Sequence, residues 1–126
     1  MLHLRFAGTF APQLKEHLLA VADLCNRKLV SPRCVEASIF NDAGDDAHGL
    51  YYPPADPNQN GRIEVFCGGI GIRHAASVLV EEWQHHVREC AGLPQPDDDE
   101  PHHRDAEAFL YRHGVCHGTQ GKTQTD

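Results

Sequence analysis

The stretch Val78-Leu79-Val80-Glu81-Glu82-Trp83-Gln84-His85-His86-Val87 decides how the rest of the chain is read. Leu79, Trp83, Val87 and Cys90 follow one another at spacings of four, four and three, which puts them on one face of a helix. The pattern predicts a helix from about Arg73 to Cys90, ended by Gly92 and Pro94. Glu81 and His85 are also four apart, on a face turned away from that stripe. Two side chains one helical turn apart can converge on one ion. Glu82 is offset by one position, about 100° round the helix, where a carboxylate reaches a water at that ion.

The segment resembles the active helix of zincin metallopeptidases, in which His-Glu-x-x-His follows a short apolar run. Val78, Leu79 and Val80 match the run, Glu82 the catalytic glutamate, Trp83 the bulky apolar position and His85 the second histidine. Glu81 stands where the first ligand histidine would be, so the motif here is Glu-Glu-x-x-His. The resemblance implies a zinc ion, or another divalent metal, held by Glu81 and His85, with Glu82 as general base. In the gluzincin group the third ligand is a carboxylate on a later helix, three residues before a small residue. Asp105, in Asp105-Ala106-Glu107-Ala108, occupies that position 20 residues after His85. Glu107 is its alternative, turned about 200° away. His102, three residues before Asp105, is a stand-in for the missing imidazole, and His86, four after Glu82, is either an alternative ligand or a histidine packed behind the site. Glu81, His85 and Asp105 around a dication would leave no net charge, which makes a weaker Lewis acid than a site with one carboxylate.

Before this helix, Leu2, Leu4 and Phe6 alternate with His3 and Arg5 as in a strand with one buried face. Pro12 suits a first helical turn, and Leu14, Leu18, Val21 and Cys25 make residues 12–29 one amphipathic helix, with His17 at the surface beside the stripe. Ser31-Pro32 stops it. Residues 34–40, 49–52 and 62–67 read as three strands, expected to pair antiparallel. The acidic turn from Asn41 to Asp46 lacks the calcium-loop spacing. Gly68-Gly69-Ile70-Gly71 lacks the lysine of a phosphate loop and reads as a link into the central helix. Residues 101–113 form a last helix with Ala106, Phe109, Leu110 and His113 on one face. The expected fold is therefore α+β, zincin-like. A small mixed sheet packs on an N-terminal helix and a central metal-site helix, and a C-terminal helix follows. Residues 1–114 make a single domain and 115–126 a polar tail.

The chain has 126 residues, 40% of them hydrophobic, and a formal net charge of −7. That balance argues against nucleic acid and against an anionic membrane surface as partners. No run approaches the roughly 20 apolar residues of a membrane span. The five cysteines contain no Cys-x-x-Cys pair, which argues against a thiolate zinc knuckle. Their odd number, and a start without a charged region followed by an apolar core, point to a reducing, cytoplasmic setting. The function expected is hydrolysis of a peptide or amide bond in a peptide or protein substrate. The alternative is a non-catalytic descendant of the same fold that binds a peptide or protein in the cleft.

Overall fold

The computed structural model describes residues 1–114 apart from 46, 57 and 96–98, and not the side chains of 99–102. The expected tail, 115–126, lies outside the described residues. In order, the elements are β1 (Leu2–Ala7), α1 (Pro12–Lys28), β2 (Val35–Phe40), β3 (Gly49–Tyr52), β4 (Gly61–Phe66), α2 (Ile72–Cys90) and α3 (Asp99–Arg112). The fold is α+β with a four-stranded mixed sheet in the order β1-β2-β4-β3. None of the described helices is long and apolar enough to cross a membrane.

The strand pairing differs from the expected antiparallel run. β1 and β2 are parallel, β2 and β4 are parallel, and only β3 runs antiparallel, against β4. The chain leaves β2, lays down the edge strand, and then returns to fill the gap between them. Burial explains the order. β2 buries Val35, Ala37 and Ile39 completely, and β4 does the same with Ile63 and Val65, in register with one another. Strands that apolar belong in the middle of a sheet. β3 has four residues and leaves Leu50 and Tyr52 exposed, which suits an edge.

One face of the sheet carries the core. α1 contributes Leu18, Val21, Ala22, Leu24 and Cys25, and α2 contributes Ala75, Ala76, Val78, Leu79, Val80 and Trp83. The other face shows His3, Arg5, Glu36 and Arg62 to solvent. The Asn26 side chain fastens α1 to the sheet: its Oδ1 accepts the Leu2 N–H at 2.7 Å and its Nδ2 donates to the Leu2 carbonyl at 3.0 Å. His17 is half-buried rather than at the surface, and its Nε2 has no partner among the described residues. α3 closes the far side of α2 with Ala106, Phe109 and Leu110.

The edge strand lies directly on α2. A Cβ added at Gly49 would stand 2.5 Å from Val78 Cγ1 and 2.9 Å from Glu82 Cγ. Val78 is buried and β-branched, so it has little room to give. Glycine at 49 is what lets the β3 backbone approach the helix beside Glu82. Gly49→Ala is expected to cost about 1–3 kcal/mol, as overpacking does. Leu50→Ala, on the exposed side of the same strand, should change stability by less than about 0.5 kcal/mol. Urea denaturation of the two variants checks the contrast.

Candidate functional site

α2 is a helix enclosed by other elements, yet Glu81, Glu82 and His86 are buried within it. Buried polar groups need partners, and the partners of α2 define the site. Glu81 is one of the two walls of a contact with α3: His103 Nδ1 lies 2.7 Å from Glu81 Oε1. His85 is held by the loop after α2. Its Nδ1 is 2.8 Å from Gln95 Oε1, while Gln95 Nε2 donates to the His85 carbonyl at 2.9 Å. The amide oxygen can only accept, so Nδ1 carries a proton, which in a neutral ring leaves Nε2 as the lone-pair nitrogen. That is the tautomer in which an imidazole ligates a metal through Nε2.

Glu81, Glu82 and His85 line one cavity of about 550 Å³ together with His48, His74 and His103. Its opposite wall is the edge strand, from Ala47 to Tyr51. The rings of His48 and His74 meet edge to face at 4.9 Å, and those of His74 and His103 at 6.3 Å. Desolvation, then the neighbouring His48 and His103, hold the His74 imidazole below the ordinary histidine range, which keeps it neutral at neutral pH. Three more imidazoles thus stand near the two adjacent carboxylates. His74 is two turns before Glu81, farther than a ligand partner on the same helix would stand, but the cavity brings both to one wall.

Of the residues singled out in the sequence, Glu81, Glu82 and His85 come together here. Asp105 is exposed and lines neither of the two cavities beside α2. Glu107 is also exposed and lines the second cavity, between α2 and α3. The side chain of His102 lies outside the described residues. His103 is the α3 residue that reaches Glu81. The sequence held a signal for it: His103 is three residues before Ala106 and seven before Leu110, both completely buried against α2. Asp105 is instead spaced from Ala108, which is exposed. Gln95, His48 and His74 carried no comparable signal.

The donor types suit a divalent metal. Glu81, His85 and His103 make one carboxylate and two imidazoles, a set that binds zinc in hydrolytic enzymes. Among the described residues, however, no three His, Cys, Asp or Glu side chains are grouped as an ion would require. Glu81 instead contacts His103 directly. Thiol chemistry has no support in the core: burial pushes the Cys25 thiol up to about 12 and the Cys67 thiol up to about 11.

His86 faces away from the cavity and ties the structure behind it. It is completely buried, with its ring tilted against Trp83 at 5.1 Å. Its Nε2 is 3.0 Å from Ser31 Oγ and its Nδ1 is 3.0 Å from the Tyr51 hydroxyl. Desolvation, with Cys90 and Glu89 adding to it, raises the Tyr51 hydroxyl to about 12, so it meets Nδ1 as a protonated phenol. The Ser31 hydroxyl, hydrogen-bonded to Nε2, is also 3.5 Å from Cys90 Sγ. The Trp83 indole N–H donates to the Leu29 carbonyl at 2.8 Å.

Burial holds His86 below the ordinary histidine pKa. The unfolded chain, with a histidine pKa of about 6.5, therefore takes up this proton first as pH falls. The stability it contributes is present above about pH 6.5 and is lost below it, at a slope of at most about 1.4 kcal/mol per pH unit for one proton. Urea unfolding between pH 7.5 and 5 should include this slope, and His86→Gln should reduce the total by His86's share, with the half-buried His17 and the cavity residue His74 contributing the rest. No protein-family model, curated protein or solved structure matches the chain.

Proposed function

We propose that the protein is a zincin-like metallohydrolase that cleaves a peptide or amide bond, with Glu81, His85 and His103 as the metal ligands and Glu82 as the general base. The observation that carries this reading is the meeting of Glu81 and His103 in the cavity that Glu82 and His85 also line. Relative to the zincin pattern, carboxylate and imidazole have traded places. The glutamate stands on the first helix and the histidine on the later one, so the set still has two imidazoles and one carboxylate. A dication with one carboxylate keeps a net charge near +1, against zero had Asp105 been the third ligand.

An ion held there supplies Lewis acidity. The residues of the chain do the rest. Gln95 fixes the His85 tautomer. Glu82 takes a proton from the attacking water and returns it to the leaving nitrogen as the C–N bond breaks. Its carboxylate lies beside the β3 backbone at Gly49. Among the described residues β3 pairs with β4 on one side only, and its other edge could take an extended peptide as a further strand. That favours a peptide or protein substrate over a compact small molecule.

A second reading, a peptide-binding module without catalysis, is favoured by one observation: the Glu81–His103 contact satisfies the buried carboxylate without an ion. Metal content separates the two. Purified protein is expected to carry about one zinc per chain by elemental analysis. Glu81→Ala, His85→Ala and His103→Ala should each lose it, and Asp105→Ala should keep it. Glu82→Gln should keep the metal and lower the hydrolysis of a peptide library by roughly 10²–10⁴-fold. Absence of metal after reconstitution with zinc would favour the binding module.

A further inference from the structure

Arg73, Ser77, Glu81 and His85 follow one another four apart, in one row along α2. Glu81 and His85 belong to the cavity described above. Arg73 and Ser77 line the second cavity, of about 750 Å³, with Glu107 and Tyr111 of α3 on its other side. His74 and His103 line both cavities and so form the partition between them.

The second cavity holds an unanswered donor. Ser77 is 3% exposed, and its Oγ has no hydrogen-bond partner among the described residues. A buried hydroxyl without a partner is costly and marks a place where a ligand atom would supply one. Arg73, one turn away, is exposed and forms no salt bridge among the described residues. The first turn of α2 carries no acidic side chain, and its N-cap, Gly71, makes no side-chain cap. The outward amides of that turn favour negative charge at the same end.

We propose that this second cavity binds a carboxylate at the end of a peptide, with Arg73 pairing the charge and Ser77 donating a hydrogen bond. The peptide then runs past His74 and His103 into the first cavity. Its role as a substrate subsite rests on the hydrolase reading; its affinity for a carboxylate does not. At 1.5 Å per residue, Ser77 and Arg73 are about 6 and 12 Å along the helix axis from Glu81. An extended residue spans about 3.3 Å, so the carboxylate sits roughly two to four residues from the bond to be cut. Glu107, on the α3 wall, lines the same cavity as Arg73. It opposes a carboxylate on its own side and steers it towards Arg73.

The test is calorimetric titration of the full chain carrying Glu82→Gln, so that nothing is turned over. Three acetylated tripeptides serve as probes: Ala-Ala-Ala with a free carboxylate, the same peptide amidated, and amidated Ala-Ala-Asp. The free acid is expected to bind about tenfold more tightly than its amide, the scale of one hydrogen bond to a charged group. Arg73→Gln should abolish that difference, and Glu107→Gln should widen it. Ser77→Ala should narrow it while raising Tm, because it removes an unsatisfied buried hydroxyl. Loss of affinity with a gain in stability is not what a merely structural serine would give. Binding of the aspartate amide like the free acid would assign a side-chain carboxylate; binding like the plain amide would assign the chain terminus. Equal binding of acid and amide, no binding of either, or a difference that survives Arg73→Gln would overturn the proposal. The ratio should persist in chelator-treated protein. Failure of zinc binding or hydrolysis is thereby separated from failure of carboxylate recognition.

Discussion

The structure depends on the enclosure of α2. A helix packed by a sheet on one side and helices on two others leaves its buried polar side chains little water to bond, so most of them find a partner in another element, Ser77 and the Gln84 Oε1 being the exceptions among the described residues. The end of α1 answers Trp83 through the Leu29 carbonyl. The segment after α1 and the edge strand answer His86 through Ser31 and Tyr51. The loop after α2 answers His85 through Gln95, and α3 answers Glu81 through His103. These contacts fix where the less regular parts of the chain must lie. Apolar packing alone would tolerate sliding along the helix; hydrogen bonds at defined positions do not.

That arrangement also separates two roles on one helix. Adjacent residues point to different sides, so His85 and His86 have nothing in common beyond their chemistry. His85 turns to the cavity with its tautomer set from outside. His86 turns inward, completely buried, and is held neutral by its burial. A pair of neighbouring histidines in a sequence reads as one feature; in the fold it is a cavity residue and a core residue, 100° apart.

How much was legible follows from which interactions are local. The α2 stripe is a helical spacing, and Leu79 and Trp83 are indeed completely buried. The extents of α1, β3 and α2 follow from Pro12, Pro53-Pro54 and Gly92, residues that act on the backbone where they stand. Strand order is not local. Nothing in residues 41–48 shows that β3 passes beyond the place where β4 will lie, so a simple antiparallel run was the natural expectation. The residue facing Glu81 was a question of helix phase. Asp105 was chosen by its distance to Ala108, but the small residue packed on α2 is Ala106, and its phase brings in His103. The contribution of Gln95, in a proline-flanked loop, depends on a single amide and has no periodicity to betray it.

The placement of β3 has a consequence for motion. It is four residues long, paired on one side among the described residues, and joined to its neighbours by two connecting segments rather than by a tight hairpin. The three parallel strands do not need it to remain paired. A subglobal opening that detaches β3 while β1, β2 and β4 persist therefore costs less than global unfolding. Because β3 is also one wall of the cavity, such a fluctuation would widen the entrance and release the Tyr51 hydroxyl from His86 at the same time. Local stability and ligand access are then two readings of a single equilibrium, and an occupant that extends the sheet would shift it towards the closed state by mass action.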